Sequence, residues 1–124
     1  MAKLASRNHF SSAVRVGDTI WLSGTVGIGP DRKPADGMAA QARIAFETLR
    51  DALVAAGACL TDVVELVTYH TNLQGDMASF FAVKDEFFPN DFPAWTAVGV
   101  TQLSYPSLLV EIRAVAVAGS GAAN

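Results

Sequence analysis

Few side chains in this sequence can do acid–base, nucleophilic or ligand-holding work at neutral pH. Glu111 sits within Leu109-Val110-Glu111-Ile112, and a glutamate there can act as a general acid or base if its site raises its pKa. It has a plainer alternative. Arg113 lies two positions on, hence on the same strand face, and pairing with it would hold Glu111 ionised. Arg113 could equally grip an anion. His70 titrates near neutrality, although a satisfied structural histidine is the commoner outcome. Ser23-Gly24 sets a hydroxyl beside a residue lacking Cβ, where a ligand can approach the backbone. Trp95, followed by Thr96, could stack on a flat or cationic ligand or fill core space. Cys59 reads as a small hydrophobe rather than a reactive thiol.

Several chemistries lack their groups. His9 and His70 are far apart and Cys59 has no partner at ligand spacing, so no metal is expected. Gly27-Ile28-Gly29-Pro30 has neither the spacing nor the following helix of a nucleotide loop. There is no Lys/Arg run, which argues against nucleic acid as a partner.

The elements that must position these groups follow from periodicity. Ser12 to Val16 and Thr19 to Ser23 read as strands joined at Gly17-Asp18. Gly24 to Gly37 carries four Gly and two Pro and reads as a loop, with room for a short edge strand at Val26 to Ile28. Met38 to Ala56 is the clearest helix, with Ile44, Leu49, Leu53 and Ala56 on its apolar stripe and Phe46 at the margin. Gly57 suits the position after its end. Val63 to Thr71 is a β-rich run, apolar on both sides, of the kind covered on both faces. Asp76 is placed to cap a second helix, Met77 to Phe88, stopped by Pro89. Ala94 to Thr101 and Leu108 to Val117 are the last strands. The order ββ(β)αβαββ gives an α+β fold, one mixed sheet with two helices on one face.

At 124 residues the chain is one domain, assigned to residues 1–118 with a flexible tail at 119–124. It is 51% hydrophobic and 17% charged, with a net charge of −3. Such an apolar chain, with one sheet face lacking helices, is expected to bury that face by self-association. A single cysteine fits a reducing compartment. No apolar run approaches ~20 residues, and the start lacks a signal-peptide core. A cytoplasmic protein without membrane contact is expected.

From about Phe10 to Val117 the chain resembles the Rid (RidA/YjgF-type) reactive-intermediate deaminases. The matching pieces, in order, are Ser12-Ala13-Val14, Val16-Gly17-Asp18, Leu22-Ser23-Gly24, Ala55-Ala56-Gly57, Asp62-Val63-Val64, Pro93-Ala94 and Leu109-Val110-Glu111-Ile112. Pro93-Ala94-Trp95-Thr96-Ala97-Val98-Gly99-Val100 with Tyr69-His70-Thr71 is similar to the YjgH-like branch. The resemblance implies a chorismate-mutase-like fold and a homotrimer with active sites in clefts between subunits. It also implies cofactor-free hydrolysis of imines and enamines. By the same match Glu111 would position water, and Ser23 and Gly24 would line the cleft. Three positions depart from the family pattern. Trp95 stands where an arginine grips the substrate carboxylate, Phe10 where a tyrosine is usual, and Phe81 where a helix asparagine is expected. An indole cannot form the paired charge-assisted bonds of a guanidinium. The cleft is therefore expected to be aromatic, lined by Trp95, Thr96, Ser23, Gly24, Phe10, Phe81 and His70, with weak or absent activity on 2-aminoacrylate. The alternative is a non-catalytic trimer that binds small molecules or acts like a chaperone.

Overall fold

β-branched and aromatic residues in alternation build the strands of this chain. The computed structural model describes residues 2–5 and 9–121. β1 (Ala2–Ala5), β2 (Ser11–Val16) and β3 (Thr19–Val26) precede α1 (Met38–Ala55). A 3-10 turn at Leu60–Asp62 leads into β4 (Val63–His70), then α2 (Met77–Phe87), β5 (Ala94–Gly99) and β6 (Val110–Val117). The sheet order is β1-β2-β3-β6-β4-β5. Only the β4–β5 pair is parallel, so the sheet is mixed, and α2 is the crossover that a parallel pair requires.

The third N-terminal strand is not at Val26 to Ile28. β3 runs unbroken to Val26, and Ile28 makes only an isolated bridge to Pro34. The added strand is Ala2–Ala5, paired with β2. Four residues are too few for periodicity to flag.

Both helices cover one face. Ile20 and Leu22 of β3, Leu66 of β4, and Ile112, Ala114 and Ala116 of β6 are buried against Phe46, Leu49, Leu53 and Phe80. Phe46, expected at the margin of α1, is instead its centre, with Phe80, Phe87 and Phe88 rings within 5.8 Å of its own. α1 ends as its sequence implies. Gly57 has φ 89°, and Ala58 and Gly57 donate back to the Leu53 and Val54 carbonyls, a Schellman closure. Asp76 does occupy the position before α2, yet its side chain makes no capping bond, and its Oδ1 is buried without a partner.

The other face has no helix. Trp21 is 47% exposed, and Val16, Val64 and Val98 are exposed too. β4, expected to be covered on both sides, is covered on one, because Val64 and Glu65 face solvent within the single chain. In the tail, the Gly121 N–H donates to Asp62 Oδ1 at 2.9 Å.

One buried polar residue ties the loops to this frame. Gln41 Nε2 donates to the carbonyls of Ala35 and Ser107, each at 2.9 Å, and its Oε1 accepts from the Leu109 N–H at 2.8 Å. Gly27 passes so close that a Cβ there would collide with the Gln41 backbone. Gln41→Leu keeps the volume and strands all three partners. It should lower unfolding stability by about 2–4 kcal/mol, measured by urea denaturation. A loss below about 0.5 kcal/mol would show that these bonds do not hold the loops.

Candidate active site

The ladder between β3 and β6 slips once. Leu22 pairs with Ala114 and Thr25 with Ile112, so Ser23 and Gly24 oppose Arg113 alone. Two residues against one is a β-bulge, which re-aims side chains. Ser23 Oγ is tied down by donating to the Ser11 carbonyl at 2.6 Å. Gly24 leaves its Cβ space empty, and the Glu111 carboxylate fills it; any Cβ there would strike Glu111 Oε2.

Glu111 is half-buried on the open sheet face. It makes no ion pair among the described residues. Burial pushes its pKa above the ordinary carboxylate range, because a desolvated carboxylate favours its neutral form. Of the two readings the sequence left open, pairing with Arg113 is not what the chain does. Arg113 Nε donates instead to the Tyr69 hydroxyl at 3.1 Å, one strand across. Among the described residues Glu111 has no hydrogen-bond or salt-bridge partner, and its pKa is raised in a cleft of about 860 Å³.

Phe10, Ser23 and Gly24 line that cleft with Glu111, as do Arg32, Ser104 and Tyr105. Sequence reasoning missed the last three. Arg32 is the only cation lining the cleft among the described residues. Its left-handed φ of 64° turns it out of a glycine-rich loop, and nothing in the local pattern signals that.

The remaining expected residues are elsewhere. Thr96 pairs with Val67, next to Arg113, on the same face as Glu111. It is two strands away, about 10 Å in strand spacing alone. Trp95 and His70 lie on the helix face. Trp95 pairs with Leu66 and lines neither the Glu111 cleft nor the cavity beside α1. Its Nε1–H donates to Thr68 Oγ1 at 3.0 Å. Phe81, 46% exposed, meets its ring edge-on at 5.0 Å.

Lys84 covers the indole as well. Its ammonium is 4.5 Å from the Trp95 ring centroid and 5.6 Å from that of Phe92. Lys84 is buried, and the two π faces offset part of the cost of placing an ammonium there. A positive charge therefore does stand beside position 95, supplied by α2. The i, i+3 spacing of Phe81 and Lys84 was the one signal for it.

His70 is fully buried, edge-on to Phe80 at 4.8 Å. Its Nε2 is 2.7 Å from Thr68 Oγ1, while Nδ1 has no partner. Burial holds its pKa below the usual histidine value, partly opposed by the Asp76 charge. Trp95, Thr68 and His70 form one hydrogen-bonded chain under α2, on the opposite side of the sheet from Glu111. Glu111 and Trp95 cannot meet the same small ligand within one chain.

Comparisons with known proteins agree with this architecture. Residues 1–118 match the family described as Endoribonuclease L-PSP. RutC family protein YjgH of Escherichia coli strain K12 is 36% identical over 102 residues, covering 82% of this chain and 78% of the relative. The human 2-iminobutanoate/2-iminopropanoate deaminase is 35% identical over 115 residues, covering 89% and 80%. The crystal structure of Rv2704 from Mycobacterium tuberculosis, a member of the YjgF/YER057c/UK114 family, superposes with a TM-score of 0.79 at 38% identity, covering 87% and 86%. A match over nearly the whole sequence, on a sheet with the same two-helix cover, makes this chain a member of the endoribonuclease L-PSP (YjgF/RidA) family.

Proposed function

We propose that this chain is a cofactor-free hydrolase of an imine or enamine, acting in the cytoplasm as a homotrimer. The observation that carries the reading is Glu111, a carboxyl seated against Gly24 in an open cleft, with no partner among the described residues and with its pKa raised by burial. Relatives at 35% identity are named as imine deaminases.

The chemistry balances with one acid–base group. Glu111 as carboxylate takes a proton from water while the water oxygen bonds to the iminium carbon, and the C=N π pair goes to nitrogen. The carbinolamine nitrogen then takes that proton back from Glu111. The C–N bond breaks with its electrons on nitrogen, which leaves as ammonia, while the hydroxyl proton passes to the Glu111 carboxylate and on to water as the carbonyl forms; an enamine first takes a proton at its β-carbon to become the same iminium. Positioning plus one acid–base group suffices for so labile a bond.

Self-association completes the site in this reading. The open face offers Trp21, Val64 and Val98 to a second copy. The Trp95–Phe81 cluster beside edge strand β5 would close a neighbour's Glu111 cleft, giving it an aromatic wall. Trp95 has its Nε1–H committed to Thr68 and its ring against Phe81 and Lys84, so it would present only ring surface. That same commitment favours the second reading, a trimer that binds flat small molecules without turning them over.

Three measurements test these statements. Sedimentation equilibrium should give a trimer; a monomer at working concentration would remove the composite cleft. With 2-aminoacrylate generated in situ, the protein should accelerate decay little, whereas a neutral imine should be hydrolysed and Glu111→Gln should abolish that. Binding of neutral imines with no turnover would select the second reading.

The third is a pH test. A raised folded pKa means the folded state holds its proton more tightly, so stability from Glu111 is full below the unfolded value of about 4.3. It is lost as pH rises through the folded value. Glu111→Gln should therefore raise the melting temperature at pH 7, and the gain should vanish near pH 4. An equal gain at both values would contradict a desolvated carboxylate.

A further inference from the structure

α1 does not close fully on the strand beneath it. Between them is a second cavity of about 500 Å³, walled by Thr48, Leu49 and Ala52 of α1 and by Leu22 and Thr25 of β3. Two features keep it open and apolar. Ala52 brings only a methyl group. The Thr48 hydroxyl donates to the Ile44 carbonyl in its own helix at 2.9 Å, and the Thr25 hydroxyl to the Ala45 carbonyl at 2.9 Å, so neither has its proton to give to a ligand. Among the described residues Asp51 is its only charged lining residue, and its side chain is 77% exposed, which places the charge towards solvent. Phe10, Ser23, Gly24, Val26 and Ile28 line this cavity and the Glu111 cleft alike. The two spaces meet at the bulge.

We propose that this annex receives an apolar substituent of the molecule whose C–N bond lies at Glu111. The substrates would then be imines or enamines bearing a branched aliphatic or aromatic side chain, rather than two- or three-carbon imines. The proposal rests on reading the Glu111 cleft as the hydrolytic site. A polar end beside Glu111, Arg32 and Ser104 and an apolar end under α1 define such a molecule. Loss of a polar anchor at position 95 is less damaging when the far end of the ligand is buried in a fitted pocket.

The test uses 2-imino acids made in situ from leucine, phenylalanine and alanine by an amino-acid oxidase, with hydrolysis followed by semicarbazide trapping. All three probes carry the same carboxylate, so their ratio isolates the side chain. The leucine- and phenylalanine-derived imines should exceed the alanine-derived one in kcat/KM by about tenfold or more. Ala52→Leu fills the annex and should bring that ratio towards one. Thr48→Leu, at an exposed helix position, is a second variant with the same expected effect and little risk to folding. Direct binding of 4-methyl-2-oxopentanoate and pyruvate, by titration calorimetry, separates the two claims. If no imine is hydrolysed, yet the larger acid binds more tightly and Ala52→Leu removes the difference, the annex stands and the hydrolytic reading falls. Equal rates for large and small imines, a ratio that survives both variants, or no difference in binding would overturn the annex.

Discussion

Strand parity governs this molecule. With both helices on one side of the sheet, each strand residue is assigned to a packed face or an open one by whether its position is odd or even. Ile112 and Ala114 go to the packed side and Glu111 and Arg113 to the open one; Trp95 goes under α2 and Thr96 away from it. A family pattern read along the chain brings Glu111 and position 95 together, but parity sets them on opposite surfaces. Any chemistry that needs both must recruit a second copy. The bulge at Ser23-Gly24 is the one place where parity breaks on β3, and it is where the carboxylate comes to rest against bare backbone.

The electrostatics follow from the same division. Among the described residues, the ion pairs that form are peripheral, at Arg15–Asp18, Arg43–Glu86 and Arg50–Asp51, and exposed pairs of this kind contribute little. Glu111, His70 and Lys84, all partly or fully buried, make no salt bridge among the described residues. Each is handled differently. Glu111 shifts towards its neutral acid, His70 towards neutral imidazole, and Lys84 lies against aromatic faces. Burial without a countercharge is costly, and it persists here beside the surfaces to which the proposed function assigns work.

Much of the fold was legible because its elements are long and regular. The twenty positions from Met38 to Gly57 carry a helical stripe and a glycine stop, and both appear as α1 and its Schellman closure. The runs around Leu66 and Ile112 alternate in the manner of sheet interiors. What was not legible depended on contacts between distant segments. Ala2–Ala5 becomes a strand only because β2 offers an edge. Phe46 becomes central only because α2 and the residue that follows it bring three rings to it. In the site, Ser23, Gly24, Phe10 and Glu111 were found by their pattern, and the structure gathers them in one cleft. Arg32 and Lys84 escaped notice, since a left-handed loop residue and a lysine on a helix face look ordinary until the tertiary fold places them. The pairing of Glu111 with Arg113, one of the readings left open by the sequence, is not made for a local reason, the reach of the Tyr69 hydroxyl.

The two indoles differ in a way that has a spectroscopic consequence. Trp21 stands in solvent on the open face, whereas Trp95 is wedged among Phe80, Phe81 and the Lys84 ammonium. Their fluorescence should therefore separate, a red-shifted emission from the first and a blue-shifted one from the second. Assembly through the open face would move only the red component, while loosening of α2 would move only the blue. The chain carries, in its own two tryptophans, independent optical gauges of association and of packing.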